Sequence, residues 1–575
     1  MFTGAEAVAA SIVAFLATAI VAAYVEDAIG LTLHPSAILV VCVGAGAAVA
    51  VLLRRRAVSA RTDFIAFAGI VGGVLSWLLW LAWPALLPIG NGPDLTHHLL
   101  LIDYIERTGR LVHDPALSGY LGEMIDYTPG SHLLSVLAGR WTQTDGLHAV
   151  YAVVALSVAI KAGMVFLITL RCLPTQRTAK TQRKDRLGFT LVSFVSCVLK
   201  NGRLPIALLA VLLLFVPRMY FIGSFAQQSF VAQVVAESFA VAMWWAILAW
   251  DQQPTNTAAA VFAIAGCAAF LTWPVWVGPM LVALVGVAVL HRDLPVGVRL
   301  RHLAIGILPI AAVALLHAFG RAGAAAIAST SGFVIKPTTA TLGWVFPSMG
   351  IAGTIVAAFD KRTRTIALLG AAIGVQALAL FALARTHHAG APYLALKMFY
   401  LAIYPLAVAG AVAASWALAQ ALPKMPDSGT DRVRSRGAMA AWIVVFGLAV
   451  VITRGLGAMP RPTPVVSDSV NNAGRWARAH VPPQCVDYLV ADDDSAYWLH
   501  LAVLGNARAA ARSLDSSTYE PKDAVVRWIL PNGLPYAIAD RVDDLPKDIR
   551  ETVDVLARFG PAAVIKRRGR SVCPP

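Results

Sequence analysis

Apolar runs long enough to cross a bilayer recur from the first residues of this chain to beyond position 450, and a chain built that way must satisfy its backbone in lipid. Such runs are read at 7–25, 36–53, 64–88, 146–170, 204–222, 232–250, 257–272, 274–290, 303–319, 343–359, 365–385, 393–421 and 438–457. The expected fold is therefore mainly α: a polytopic helical membrane protein with about 13 transmembrane helices. Only 14% of the 575 residues are charged and 58% are hydrophobic; soluble domains run nearer a quarter charged. At Trp273-Pro274 two readings stay open, a kink in one long helix or a true break. Met1 to Ser11 lacks a basic leader region, so the first apolar run reads as a retained helix.

The net charge of +15 suggests nucleic acid until its distribution is read. The basic residues sit in short loops between apolar runs, with no basic stripe and interleaved aromatics, which excludes a nucleic-acid face. With the N-terminus in the cytoplasm, the inner loops carry about 22 Lys and Arg and the outer loops about 5, as the positive-inside rule requires. The expected location is a bacterial plasma membrane, N-terminus cytoplasmic. Residues 1–457 form the membrane part, the loop 89–145 faces outward, and 458–575 form a small extracytoplasmic domain. Within it, Asn471–His480, Ser495–Leu504 and Asp548–Phe559 read as helices, and Cys485–Ala491 and Ala562–Lys566 as strands. That alternation predicts an α/β domain. Cys485 and Cys573 bracket most of it, and an outward location permits a disulfide between them. Cys42, Cys172, Cys197 and Cys267 read as apolar filler.

Polar residues at the membrane surface carry the functional reading. Pro93 suits a first helical turn, and a helix from Pro93 to Arg107 puts Asp94, His97 and His98 at i, i+3 and i+4 on one face. The segment is too short and polar to span, so it predicts an amphipathic helix at the interface. Tyr127-Thr128-Pro129-Gly130 predicts a turn back to the membrane. A carboxylate so placed is suited to general-base chemistry, and a phosphate leaving group needs cations or donors nearby. Arg218, Lys336, Arg385, His387, His388 and Lys397 are the outward candidates. The bland readings are specific too. Asp94 caps its helix and the imidazoles are headgroup-level polar residues; Lys397 snorkels to the surface; Glu237, four after Gln233, bonds a neighbouring helix. Asp94, His97 and His98 also make a three-residue metal set with no fourth ligand evident. Asp492-Asp493-Asp494 reads as a solvated turn before a helix more readily than as a metal site.

Pro93-Asp94-Leu95-Thr96-His97-His98, the helix that follows and Tyr127-Thr128-Pro129-Gly130 together resemble membrane glycosyltransferases of the GT-C class. Those proteins carry an aspartate on an early outward loop and a tyrosine-proline-proline-glycine-like turn; Thr128 stands where the first proline is usual. Tyr220-Phe221-Ile222-Gly223-Ser224-Phe225 and Tyr393-Leu394-Ala395-Leu396-Lys397 are similar to stretches of the same class. The layout is most similar to the arabinofuranosyltransferases of actinobacterial cell-wall synthesis, although two helices precede the Asp94 helix where one is commonest. The resemblance implies a polyprenyl-phosphate sugar donor, a glycan or lipid acceptor in the cell envelope, and inversion at the anomeric carbon. It implies Asp94 as the base, and His97, His98, Tyr127, Arg218, His387, His388 and Lys397 around the substrate. Some members hold the phosphate with a divalent cation. A multi-helix transporter or lipid flippase is the alternative, motivated by Glu237; an anchoring protein acting through its C-terminal domain is a third reading. Internal repeats and paired broken helices, the signature of many transporters, are not evident.

Overall fold

The structure is a computed structural model that describes residues 2–54, 57–58, 61–83, 93–173, 203–320, 334–386, 392–421, 430–457, 464–500, 521–531, 533–569 and 573. Among the described residues, 9 helices are long and apolar enough to span a membrane, and four shorter apolar helices accompany them. Together they fall on the runs read from the sequence. Two helices, Gly146–Cys172 and Val231–Gln252, are buried almost throughout and form the bundle's axis. Around them, Pro35–Arg54, Val296–Gly320, Arg364–Thr386 and Thr430–Gly457 leave Val40, Leu308, Leu378 and Phe446 exposed. Apolar residues facing outward in this number are the surface a bilayer covers.

Two runs are broken where proline intervenes. The run read as 204–222 is helical only over Arg203–Leu214, then passes through Pro217 into the short turns Arg218–Phe221 and Gly223–Ala226. The helix Asn256–Thr272 ends before Trp273, whose backbone is extended, and the chain restarts as Pro274–Trp276 and Val277–Leu290. Trp273-Pro274 is a break, not a kink.

The C-terminal segment carries a four-stranded sheet of order Val486–Leu489, Tyr536–Ala539, Ala562–Arg567, Val553–Phe559. The first pair is parallel and the others antiparallel, with the helix Asp468–His480 packed on the sheet. Residues 548–559 are not the expected helix. Val553–Phe559 is an edge strand in a hairpin with Ala562–Arg567, turned at Gly560-Pro561, where Gly560 has φ of +60°. A glycine of positive φ makes that turn without steric cost. The expected 495–504 helix is seen as Asp493–Trp498, with positions beyond His500 outside the described residues. Cys485 and Cys573 are disulfide-bonded, with Cα atoms 5.4 Å apart; Cys42, Cys172 and Cys267 are buried free thiols.

Candidate functional site

The helix Pro93–Thr108 forms as its sequence predicts, but it does not lie on an open interface. Leu95, Leu99, Ile102 and Ile105 are buried, and so are Thr96, His98 and Asp103. The C-terminal segment covers the helix from above, so its polar side meets protein. Asp94 lies in the first turn of this helix; its side chain is outside the described residues.

His97 and His98 diverge instead of pointing together, because successive residues of a helix are separated by about 100°. His97 Nε2 lies 2.8 Å from the hydroxyl of Tyr497, in the C-terminal segment. His98 turns toward the bundle, where its Nδ1 is 2.9 Å from Nε2 of His132. Their rings stack with centroids 5.1 Å apart, and Tyr127 meets both edge-on at 5.2 and 5.8 Å.

The turn that delivers Tyr127 and His132 is held by the break after Thr272. Because helix Asn256–Thr272 stops there, the Thr272 carbonyl is open to accept a 2.9 Å bond from the Thr128 hydroxyl. A proline at 128 has no such donor. Gly130 fits for a related reason: a Cβ on it would sit 2.3 Å from Thr272 Oγ1 and 2.8 Å from the Leu271 carbonyl oxygen. The helix Gly130–Trp141 then starts flush against this end and presents His132.

Lys397 completes the cluster from the helix Tyr393–Ala421. It does not snorkel: only 1% of it is exposed. Its ammonium lies over the ring of Phe230 and within 5.2 and 5.3 Å of the ring centres of Tyr393 and Tyr400, a cation–π environment. Burial drives the His98 imidazole down to about 3, and positive charge at His97 and Lys397 acts in the same direction. His132 is lowered too, by burial and then by His98. The site is therefore one buried ammonium beside two imidazoles that stay neutral. Such a group attracts an anion and can offer it N–H donors, which tautomer being set by the partner.

The remaining candidates behave differently. Arg218, Lys336 and Arg385 are exposed, and Arg385 stacks on Phe381 of its own helix; none of the three is hydrogen-bonded to the His98 cluster. His387 and His388 lie outside the described residues. Asp492 caps the Asp493–Trp498 helix through the Ser495 amide and hydroxyl, so the acidic run is a turn with a structural task. Glu237 is fully buried, ion-paired with Lys161, and accepts bonds from Tyr404 (2.6 Å) and Gln233 (3.1 Å). Among the described residues, no three His, Cys, Asp or Glu converge as a metal-ligand set.

Sequence reasoning missed His132, Lys161 and Tyr497. His132 stands two residues past a turn already singled out, and Lys161 is a lone charge inside an apolar run; both were readable signals. Tyr497 carries none, since its partner is 400 residues away in sequence. An apolar crevice of about 300 Å³ between Ile206, Leu209, Ala414, Ala441 and Val444 is a separate feature. Ala414 is roughly 25 Å along the helix from Lys397 at the helical rise.

No protein-family model matches the chain, and no curated protein sequence does. Among solved structures, ArnT from Cupriavidus metallidurans bound to undecaprenyl phosphate is similar at 14% identity and TM-score 0.44, over 88% of this chain and 99% of that one. The apo oligosaccharyltransferase of Archaeoglobus fulgidus is similar at 12% identity and TM-score 0.43, over 82% of this chain and 70% of that one. AglB from the same archaeon, in complex with an inhibitory peptide and a dolichol-phosphate, gives 13% identity and TM-score 0.38, over 82% and 69%. These are loose likenesses, and the functional reading rests on the site.

Proposed function

We propose that this chain is a membrane glycosyltransferase of GT-C type, moving a sugar from a polyprenyl-phosphate donor to a glycan or lipid acceptor of the cell envelope. The observation that carries the reading is the convergence of His98, His132 and Tyr127 on the helix that bears Asp94, with the buried Lys397 within electrostatic reach of His98. Lys397 and the imidazoles take the donor phosphate. Asp94 accepts the proton of the acceptor hydroxyl as its oxygen attacks the anomeric carbon from the opposite face. The carbon–oxygen bond to the phosphate breaks, its electron pair leaves with the phosphate, and configuration inverts. His97 supports the helix, and Arg218, His387 and His388 are assigned to substrate binding. No step is routed through a divalent cation.

We also place residues 1–457 in the membrane and assign 458–575 as an extracytoplasmic domain, with the N-terminus cytoplasmic. Supporting this, Asp145 at the start of helix Gly146–Cys172 pairs with Arg475 near the sheet, whereas Arg171 at its other end meets Glu6 and Gln252. The loop basics Arg203 and Arg364 share that far end through Leu170 and Asp251. The arabinofuranosyl donor is the finer form of the proposal. The transporter reading loses its motive, because Glu237 is already neutralised within the bundle. The test is Asp94→Asn, assayed for transfer from polyprenyl-phosphate arabinose and other polyprenyl-phosphate sugars in membranes. Transfer should fall by at least a hundredfold; full transfer by the variant removes Asp94 as the base.

A further inference from the structure

We propose that the C-terminal domain is the positioning element of the site: Tyr497 and Arg478 fix the register of the Pro93–Thr108 helix, and with it the place of His98 against His132. Two polar links from different parts of that domain converge on this one helix. The Tyr497 hydroxyl meets His97 Nε2 at 2.8 Å, and the Arg478 guanidinium reaches Asp103 at 3.2 Å. Asp103 is buried and also accepts from Arg107 at 3.0 Å. Positions 97 and 103 are separated by roughly 9 Å of helix rise, so the pair constrains both sliding and rotation.

The helix needs such a device. Its opposite side meets the bundle through Leu95, Leu99, Ile102 and Ile105, and apolar contact is non-directional. The anchors themselves are stiff. Tyr497 sits on a six-residue helix capped by Asp492 and tied by the Ser495 hydroxyl to the Val465 carbonyl at 2.9 Å. Arg478 belongs to the helix packed on the sheet. The domain is clamped to the neighbouring span by Arg475–Asp145 at 3.0 Å and His148–Asp468 at 2.8 Å. The helix is thus gripped between two bodies already joined to each other. Tyr497 and Arg478 touch no reacting atom in this scheme; both act through the helix.

What the helix positions rests on the glycosyl-transfer reading; that it is positioned does not. The test is hydrogen exchange on the full-length protein in nanodiscs, read peptide by peptide, with binding of undecaprenyl phosphate measured in parallel. Tyr497→Phe and Arg478→Ala should each raise exchange in 93–108 by roughly three- to tenfold, leave 562–567 unchanged, and weaken undecaprenyl phosphate binding by a similar factor. Arg478→Lys, which keeps the charge, should return most of the protection. Unchanged exchange in 93–108 for both variants overturns the proposal, as does deprotection spread equally over the sheet. Selective exchange in 93–108 with undecaprenyl phosphate binding unmoved in every variant, Lys397→Ala included, leaves positioning standing and removes the donor reading instead.

Discussion

Burying an ammonium among aromatic rings is costly, and an anion that reaches it offsets part of that cost. Lys397 is in that position, and the neutral state of His98 and His132 keeps competing positive charge from the site at ordinary pH. Removing the charge with Lys397→Met should weaken undecaprenyl phosphate binding by roughly 10- to 100-fold, the range of a hydrogen bond to a charged group. The measurement is lipid titration in nanodiscs. The imidazoles also predict an acid response. The folded chain holds them unprotonated while histidines of the unfolded chain titrate near 6.5. The unfolded state therefore binds more protons as pH falls from about 6.5 toward 3, and stability declines across that window. Tm in detergent should drop between pH 7 and pH 5, and His98→Gln should make the drop shallower. At this scale the sequence was partly legible. Lys397 and His98 stood out by type and position. The divergence of His97 from His98 follows from helical geometry, yet its consequence needed the partners Tyr497 and His132, which come from distant parts of the chain.

Among the elements, the spans were legible because a long apolar run has few alternatives. What escaped was local and had a cause in each case. Pro217 stopped one helix early. The apolar positions of residues 553–559 fit a helical and a strand period alike, and the Gly560-Pro561 hairpin signal decides for the strand. Close packing at the Tyr127–Gly130 turn gives a sharp prediction. Gly130→Ala places a methyl against Thr272 and the Leu271 backbone, an overpacking of about 1–3 kcal/mol. It should lower thermal stability and disturb the His132 side of the site, visible as weaker undecaprenyl phosphate binding. The axial helices are joined by the Lys161–Glu237 pair, both members fully buried. Lys161→Met strands a carboxylate and should destabilise by about 3–5 kcal/mol, whereas Lys161→Met with Glu237→Met should recover most of that loss. Recovery stays incomplete because Tyr404 and Gln233 lose their acceptor. Thermal unfolding of the single and double variants checks this.

The molecule as a whole is a bundle, a surface helix and a capping domain clamped together at one end, with Arg171, Arg203 and Arg364 at the other. The rim of that clamp includes Asp145, whose carboxyl burial would raise, but which His148 and the Arg475 guanidinium hold down at about 2. Orientation is what the bundle by itself leaves free, and the Cys485–Cys573 bond supplies a handle on it. Oxidation of that pair needs an oxidising compartment, and its two halves are 88 residues apart, with the whole sheet between them. On the proposed topology, closure waits until the sheet has left the ribosome and crossed to the oxidising side. The bond is a stamp recording which compartment the domain matured in: in intact cells these two thiols should resist maleimide until a reductant is added, while a chain kept on the reducing side would take up label at once.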